Sequence, residues 1–182
     1  LIGLRAWRSG MPTSDIQRKP GPSNVLALPA ADPDRVAGSL SRAVRSPTVS
    51  QSGPQQMDWA AFDAYAQFLQ ERYPLFHGAA EVERVQNYAL IYRLPGANPE
   101  AKAVLWMSHQ DVVPPGKIED WTVPPFSGEI RAGVLWGRGA LDMKSHTVAM
   151  FEACEAFLAA GGKLQHDLYF ALGYDEETGV ET

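Results

Sequence analysis

The chain has 182 residues, which is enough for one domain with a buried core. Its apolar fraction of 45% and charged fraction of 20% are typical of an ordinary globular protein. The net charge of −5, without a long basic cluster, gives no electrostatic case for nucleic-acid binding. Cys154 is the only cysteine, which excludes an intrachain disulfide and cysteine-rich zinc modules, so His, Asp and Glu are the candidate metal ligands. The sequence contains no run of about 18 apolar residues, so no membrane-spanning segment is predicted.

Residues 1–31 are rich in proline and lack sustained periodicity, so we expect a flexible linker there. Residues 1–4 are apolar and precede several basic residues, namely Arg5, Arg8, Arg18 and Lys19. This pattern is compatible with the remnant of an N-terminal signal peptide or membrane anchor, which would make the protein extracytoplasmic or membrane-anchored. A ragged terminus explains the pattern equally well, so the compartment stays open.

Two amphipathic helices are predicted next. Asp32 is a typical N-cap and Pro33 a typical first helical residue; the apolar residues of this first helix share one face, and the helix ends before Pro47. A polar loop leads to a second helix, which begins near Asp58 and ends at Tyr73-Pro74.

The sequence then changes to the pattern of short strands. Residues 81–85, 89–94 and 103–107 are apolar or alternating runs. The last run is continuously apolar, which predicts a central strand covered on both faces. Residues 126–136 are predicted to form a hairpin around Ala132-Gly133.

A helix from about Lys144 to Ala160 precedes one more apolar strand, residues 168–172. Strand, helix and strand in this order form a parallel crossover unit, so we predict an α/β fold with a mostly parallel sheet flanked by helices. In such sheets, ligands bind beyond the carboxyl ends of the strands. The polar side chains expected there are His109, Asp142, Glu176 and Glu177.

Each of these side chains also has a simpler interpretation. His109 alone is compatible with a hydrogen-bonded histidine, Asp142 can cap the next helix, and adjacent glutamates are typical of a solvated loop. However, Asp111 can accept the second ring N–H of His109, which fixes the tautomer of a metal-bound histidine. A carboxylate such as that of Asp142 can also bridge two cations about 3.5–4 Å apart.

Three longer segments make the pattern specific. They are SHQDVVP at residues 108–114, W…PPFSGEI…G.LWGRGALDMK at residues 121–144, and DEETG at residues 175–179. In order, spacing and flanking residues they resemble the successive motifs of the zinc aminoacylase and carboxypeptidase family, in its carboxypeptidase-S-like branch. The resemblance covers roughly residue 32 to the C-terminus.

The resemblance implies a role for each candidate residue. His109 binds one of two Zn²⁺ ions, Asp142 bridges both, and Glu177 binds the other. Glu176 is the general base that takes a proton from a metal-activated water, and Asp111 orients His109. Co²⁺ or Mn²⁺ are the expected substitutes for zinc.

The resemblance also implies an activity and a domain organisation. The expected reaction is hydrolysis of an amide bond adjacent to a free carboxylate, by a carboxypeptidase or N-acyl-amino-acid hydrolase acting on a small peptide or an N-acyl amino acid. Residues 32–182 then form the N-terminal part of a phosphorylase/hydrolase-like catalytic domain. In the family, a further carboxylate, a further histidine and a dimerisation domain follow at positions beyond Thr182. We therefore expect a homodimeric parent, and weak metal binding with little or no activity for these residues alone.

Alternative functions have less support in the sequence. An ATPase would need a phosphate loop of the form GxxxxGK[ST], whereas Gly162-Lys163 is followed by Leu164. A catalytically incompetent fragment or a non-catalytic interaction domain keeping the fold stays as the alternative, although binding alone has no need of a base such as Glu176. The other notable side chains are expected outside the site: His77 and His166 in loops, His146 past it on the helix, and Cys154 in the core.

Overall fold

In the computed structural model of the chain, residues 30–86, 88–98 and 100–178 are described. They form a four-stranded sheet with helices packed on one face, and a separate hairpin. The sheet contains β1 (Glu81–Val85), β2 (Ala89–Leu94), β3 (Val104–His109) and β6 (Leu168–Gly173), and the hairpin contains β4 (Ile130–Arg131) and β5 (Val134–Leu135). The helices are α1 (Pro33–Val44), α2 (Trp59–Arg72), α3 (Pro74–Ala79) and α4 (Ser145–Ala159).

No helix of this described part is long and apolar enough to cross a membrane. The predicted linker lies outside it, except for residues 30 and 31.

Local capping signals place the start of α1 and the turn of the hairpin. The carboxylate of Asp32 accepts hydrogen bonds from the backbone N–H groups of Asp34 and Arg35 at 3.0 and 3.2 Å, which confirms the predicted N-cap. The hairpin turns at Ala132 and Gly133, which have positive φ angles of 50° and 76°. Two such residues are typical of the tight turns whose twist matches that of paired strands, so the predicted hairpin is confirmed.

The helix α3 was not predicted. The sequence indicated only the end of α2 at Pro74, and His77, expected in a loop, lies in this additional helix. The backbone N–H groups of Leu75 and Phe76 donate to the buried carboxylate of Glu155 in α4, at 3.1 and 2.9 Å. These two bonds satisfy N–H groups that a helix start otherwise leaves unpaired.

The sheet is mixed, with the strand order β1-β2-β6-β3. β3 and β6 are parallel and connected through α4, which confirms the predicted crossover and the α/β class. The pairs β1–β2 and β2–β6 are antiparallel, so the described sheet is not mostly parallel. The short connection from Val85 to Ala89 accounts for the β1–β2 pair, because a tight turn can only join antiparallel strands.

Within the described residues, β3 is an edge strand, and the prediction of a strand covered on both faces is wrong for them. Its apolar side chains are 37% exposed at Trp106 and 66% exposed at Met107. The backbone N–H of Val104 donates to Asp167 and that of Gln110 donates to Gly173. Amides of even-numbered residues along β3 therefore face β6, and those of odd-numbered residues face the open side.

The hydrophobic core lies between the helices and one face of the sheet. Phe151 of α4 is fully buried, with its ring centroid 4.6 Å from that of Phe76 and 5.3 Å from that of Phe170. Cys154 is part of the same core, as predicted. This packing holds α4 across the sheet, so the N-terminus of the helix lies at the carboxyl edge of β3 and β6.

Replacement of Phe151 by Ala is expected to lower the free energy of unfolding by about 3–5 kcal/mol, because it leaves a cavity among aromatic rings that cannot collapse fully. Urea unfolding followed by circular dichroism measures this loss. Phe157→Ala, at a half-buried position of the same helix, is the matched control and is expected to cost clearly less. Equal losses would contradict the central position of Phe151 in the core.

Candidate metal centre

Three segments meet at the carboxyl edge of the two parallel strands. The first is the end of β3 at His109, and the second is a short helical turn, Glu176–Thr178, shortly after β6. The third is an irregular turn, Ala140–Lys144, that leads into α4. Nε2 of His109 lies 3.4 Å from Oδ1 of Asp142 and 3.7 Å from Oε2 of Glu176.

The four side chains predicted as metal ligands and base lie together in this structure. One candidate ligand atom from each of His109, Glu176 and Glu177 lies within 4.8 Å of the others, and Asp142 adjoins the histidine. Imidazole nitrogen and carboxylate oxygen are the donors that catalytic zinc sites use, so this set fits zinc. The side chains of Asp142 and Glu176 are 77% and 63% exposed, so the cluster is open to solvent and to a substrate.

Asp111 connects the histidine to the segment that follows β6. Nδ1 of His109 lies 3.0 Å from the backbone oxygen of Asp111 and 3.3 Å from its Oδ1. A proton on Nδ1 is donated to Asp111, which leaves Nε2 to face the carboxylates. Oδ2 of the fully buried Asp111 accepts the backbone N–H of Glu177 at 3.0 Å. Asp111 therefore contacts both His109 and the backbone of the segment that carries Glu177.

The charges around His109 change its affinity for protons. Burial lowers its pKa, but the hydrogen bond to Asp111 and the charges of Asp111 and Glu176 outweigh burial and raise the pKa to about 9. Burial raises the pKa of Glu177, and the charge of Asp142 adds to this effect. Without metal, His109 is therefore protonated at neutral pH, and a metal ion must displace that proton.

Zinc binding is expected to release about one proton from His109 at about pH 7.5, since its pKa lies above that value. Zinc affinity is therefore expected to increase as the pH rises toward 9, the folded-state pKa of this histidine. Calorimetric titration of zinc in buffers of different ionisation enthalpy measures the number of protons released. The control is Asp111→Asn, which removes the charge that raises the pKa and is expected to release about one proton fewer. Equal proton release by both proteins would contradict the proposed coupling.

Asp142 does not cap α4, which removes the simpler interpretation of this residue. No side-chain hydrogen bond caps that helix, and the backbone of Asp142 is extended at φ −117° and ψ 97°. The turn before it requires glycine, because Gly139 has a φ of 75° and a Cβ there would collide with Val112. The peptide bond between Asp142 and Met143 is cis. The turn thus presents the Asp142 carboxylate next to His109.

Lys144 and Thr48 are two residues near the centre that sequence reasoning did not single out. Lys144 is fully buried at the start of α4, and burial lowers its pKa to about 7, against the opposing charge of Asp111. The position of Lys144 at the end of the GRGALDMK segment was the one signal in the sequence that could have indicated a role at the centre. His146, by contrast, is exposed on α4 and is not part of the cluster, as predicted.

The chain is similar in sequence and in fold to known proteins. Residues 105–181 match the profile of peptidase family M20/M25/M40. The chain is 37% identical over 147 residues to carboxypeptidase S of Saccharomyces cerevisiae, covering 76% of this chain and 26% of that protein. It is 34% identical over 155 residues to N-fatty-acyl-amino acid synthase/hydrolase PM20D1 of Mus musculus, covering 83% of this chain and 30% of that protein. Among solved structures, the chain superposes on the M20 family metallo-carboxypeptidase Sso-CP2 from Sulfolobus solfataricus with a TM-score of 0.64 at 21% identity. The superposition covers 82% of this chain and 32% of that one.

The fold is that of a metallopeptidase catalytic domain. The chain belongs to peptidase family M20/M25/M40 and resembles its carboxypeptidase-S-like members, which confirms the resemblance identified in the sequence. It spans about a third or less of the length of these curated relatives.

Proposed function

We propose that this chain carries a dinuclear zinc centre of a hydrolase that cleaves amide bonds adjacent to a free carboxylate. The observation that carries the proposal is the convergence of one imidazole and three carboxylates at the end of the parallel strands. Family membership supports a metal-dependent hydrolase. The names of the relatives, a carboxypeptidase and an N-fatty-acyl-amino acid hydrolase, support the substrate class, because both describe amides of an amino acid with a free carboxylate.

The proposed ligand assignment follows from the relative positions of the side chains. His109 would hold one zinc through Nε2, since Asp111 occupies Nδ1. Asp142 would bridge, because one of its oxygens lies next to His109 and the side chain is otherwise exposed. Glu177 would hold the second zinc. When bound, the ions would polarise the substrate carbonyl and favour ionisation of the attacking water.

Glu176 is the proposed general base. Its carboxylate is exposed at the cluster, 3.7 Å from Nε2 of His109, where a water that attacks a substrate carbonyl would lie. It accepts a proton from that water as the oxygen adds to the carbonyl carbon. It then returns the proton to the amine nitrogen as the C–N bond breaks. Asp111 keeps the histidine oriented throughout.

The proposal is tested by zinc stoichiometry and hydrolysis in the whole protein, with Asp142→Ala as the variant. We expect two zinc ions per chain, fewer in the variant, and hydrolysis of an N-acyl amino acid. The matched substrate is the same compound with its carboxylate converted to an amide, which we expect to be a poor substrate. Zinc binding that does not depend on Asp142 would contradict the bridging role. Absence of both zinc binding and hydrolysis would favour a non-catalytic interaction domain.

A further inference from the structure

The most unusual buried group outside the ligand set is the ammonium of Lys144. The side chain has no exposed surface, and Nζ donates a hydrogen bond to Oγ1 of Thr48 at 2.8 Å. Nζ also lies 4.0 Å from the ring centroid of Tyr65, in a cation–π arrangement. Burial of a positive charge is costly, so an unbranched apolar residue would serve better if the position only had to fill the core.

The contacts of Thr48 show what this lysine is connected to. Oγ1 of Thr48 donates to the backbone oxygen of Gln110 at 2.6 Å, and Thr48 is itself fully buried. The backbone oxygen of Thr48 accepts the N–H of Val112 at 2.9 Å, and the N–H of Ser50 donates to the oxygen of Val112 at 3.1 Å. Residues 48–50 therefore run alongside residues 110–112, the segment that contains Asp111.

Lys144 is also fixed to the turn that presents Asp142. Its backbone N–H donates to the oxygen of Gly139 at 2.9 Å, and Gly139 packs directly on Val112. The lysine thus lies between the turn that precedes α4 and the segment that follows β3. Those two segments carry Asp142 and Asp111.

We propose that Lys144 is a positioning residue of the metal centre, because the hydrogen bond from its buried ammonium to Thr48 holds the Asp142 turn in place against the segment that carries His109 and Asp111. This inference rests on the proposed metal centre. Because His109 and Asp142 lie on different segments, a shift of one segment against the other changes the distance between two ligands. Metal sites are sensitive to such outer contacts.

The main test is Lys144→Met in the whole protein, because methionine is an unbranched side chain that reaches as far as the lysine Cε and lacks the charged Nζ. We expect zinc affinity to fall about 10–100-fold, as is typical when an outer partner of a metal site is lost. The melting temperature of the metal-free protein is expected to change little, because the cost of burying the lysine's charge opposes the contacts that this side chain makes with Thr48 and Tyr65. The visible absorption spectrum of the Co²⁺-loaded protein is expected to change, since it reports the ligand geometry.

Two further variants separate positioning from general stability. Thr48→Val removes the acceptor and is expected to weaken zinc binding similarly, and the double variant should lose no more than Lys144→Met alone, because the two residues act as a unit. Arg35→Met breaks the ion pair between Arg35 and Glu152, which has an N–O distance of 2.8 Å and contains none of the residues of the centre. It is expected to lower the melting temperature and to leave zinc affinity within about threefold of that of the unmodified protein.

Each outcome decides between the hypotheses. If the unmodified protein binds no zinc, the proposed metal centre is wrong and this inference fails with it. If the unmodified protein binds zinc and Lys144→Met binds it with the same affinity and the same Co²⁺ spectrum, only the positioning role is overturned. If Lys144→Met lowers both zinc affinity and the melting temperature of the metal-free protein, and Arg35→Met lowers both in the same proportion, the lysine is structural and the inference is also overturned.

Discussion

Glu176→Gln is expected to lower kcat of the whole protein by about 10²–10⁴-fold, because glutamine cannot accept the proton of the attacking water. The substitution keeps the size of the side chain and its hydrogen-bonding oxygen. If Glu176 is a base and not a ligand, zinc affinity is expected to stay within about threefold of the unmodified value. Steady-state kinetics with an N-acyl amino acid, and competition of zinc with a chelator, measure the two quantities separately.

Glu177→Gln is the matched control for this prediction, since it makes the same chemical change at the adjacent position. It is expected to lower zinc affinity more than Glu176→Gln does. The structure places candidate ligand atoms of both glutamates within 4.8 Å of that of His109, so the assignment of the two roles depends on this comparison. If Glu176→Gln gives the greater loss of zinc, the roles of base and ligand must be exchanged.

His109→Ala is expected to reduce zinc affinity by at least about 100-fold, because removal of a direct ligand costs more than removal of an outer partner. The variant is also expected to lose the release of one proton on zinc binding, since the group that carries that proton is gone. Calorimetric titration of the metal-free protein with zinc gives both results.

His146→Ala is the control for the loss of a histidine, as His146 lies four residues after Asp142 and is exposed on α4. We expect its zinc affinity to equal that of the unmodified protein. A large loss in His146→Ala, together with a small one in His109→Ala, would mean that the structure places the wrong histidine at the centre.

Features determined by neighbouring residues could be predicted from the sequence. The cap at Asp32 and the turn at Ala132 and Gly133 depend on groups two or three residues apart. The crossover from β3 through α4 to β6 follows from the order of the elements and their handedness rule. His109 closely follows the apolar run of residues 103–107, so its position at the end of a strand was also predictable.

Features determined by distant residues could not be predicted. The start of helix α3 depends on Glu155, whose carboxylate accepts hydrogen bonds from the N–H groups of Leu75 and Phe76. These residues are 80 and 79 positions away in the sequence. The hydrogen bond between Lys144 and Thr48 joins residues 96 positions apart, and no local pattern indicates it. A continuous apolar run such as that of β3 predicts a strand that is buried on both faces, but it does not indicate which segment buries them.

Among the described residues, β3 is paired on one side only, and this has a consequence for amide hydrogen exchange. The amides of Trp106 and Ser108 face β6 and should exchange slowly, whereas those of Leu105 and Met107 face the open side and should exchange rapidly. Protection along this strand should therefore alternate residue by residue as long as the edge is open. Slow exchange at Leu105 and Met107 in the whole protein would show that another strand pairs with β3 there.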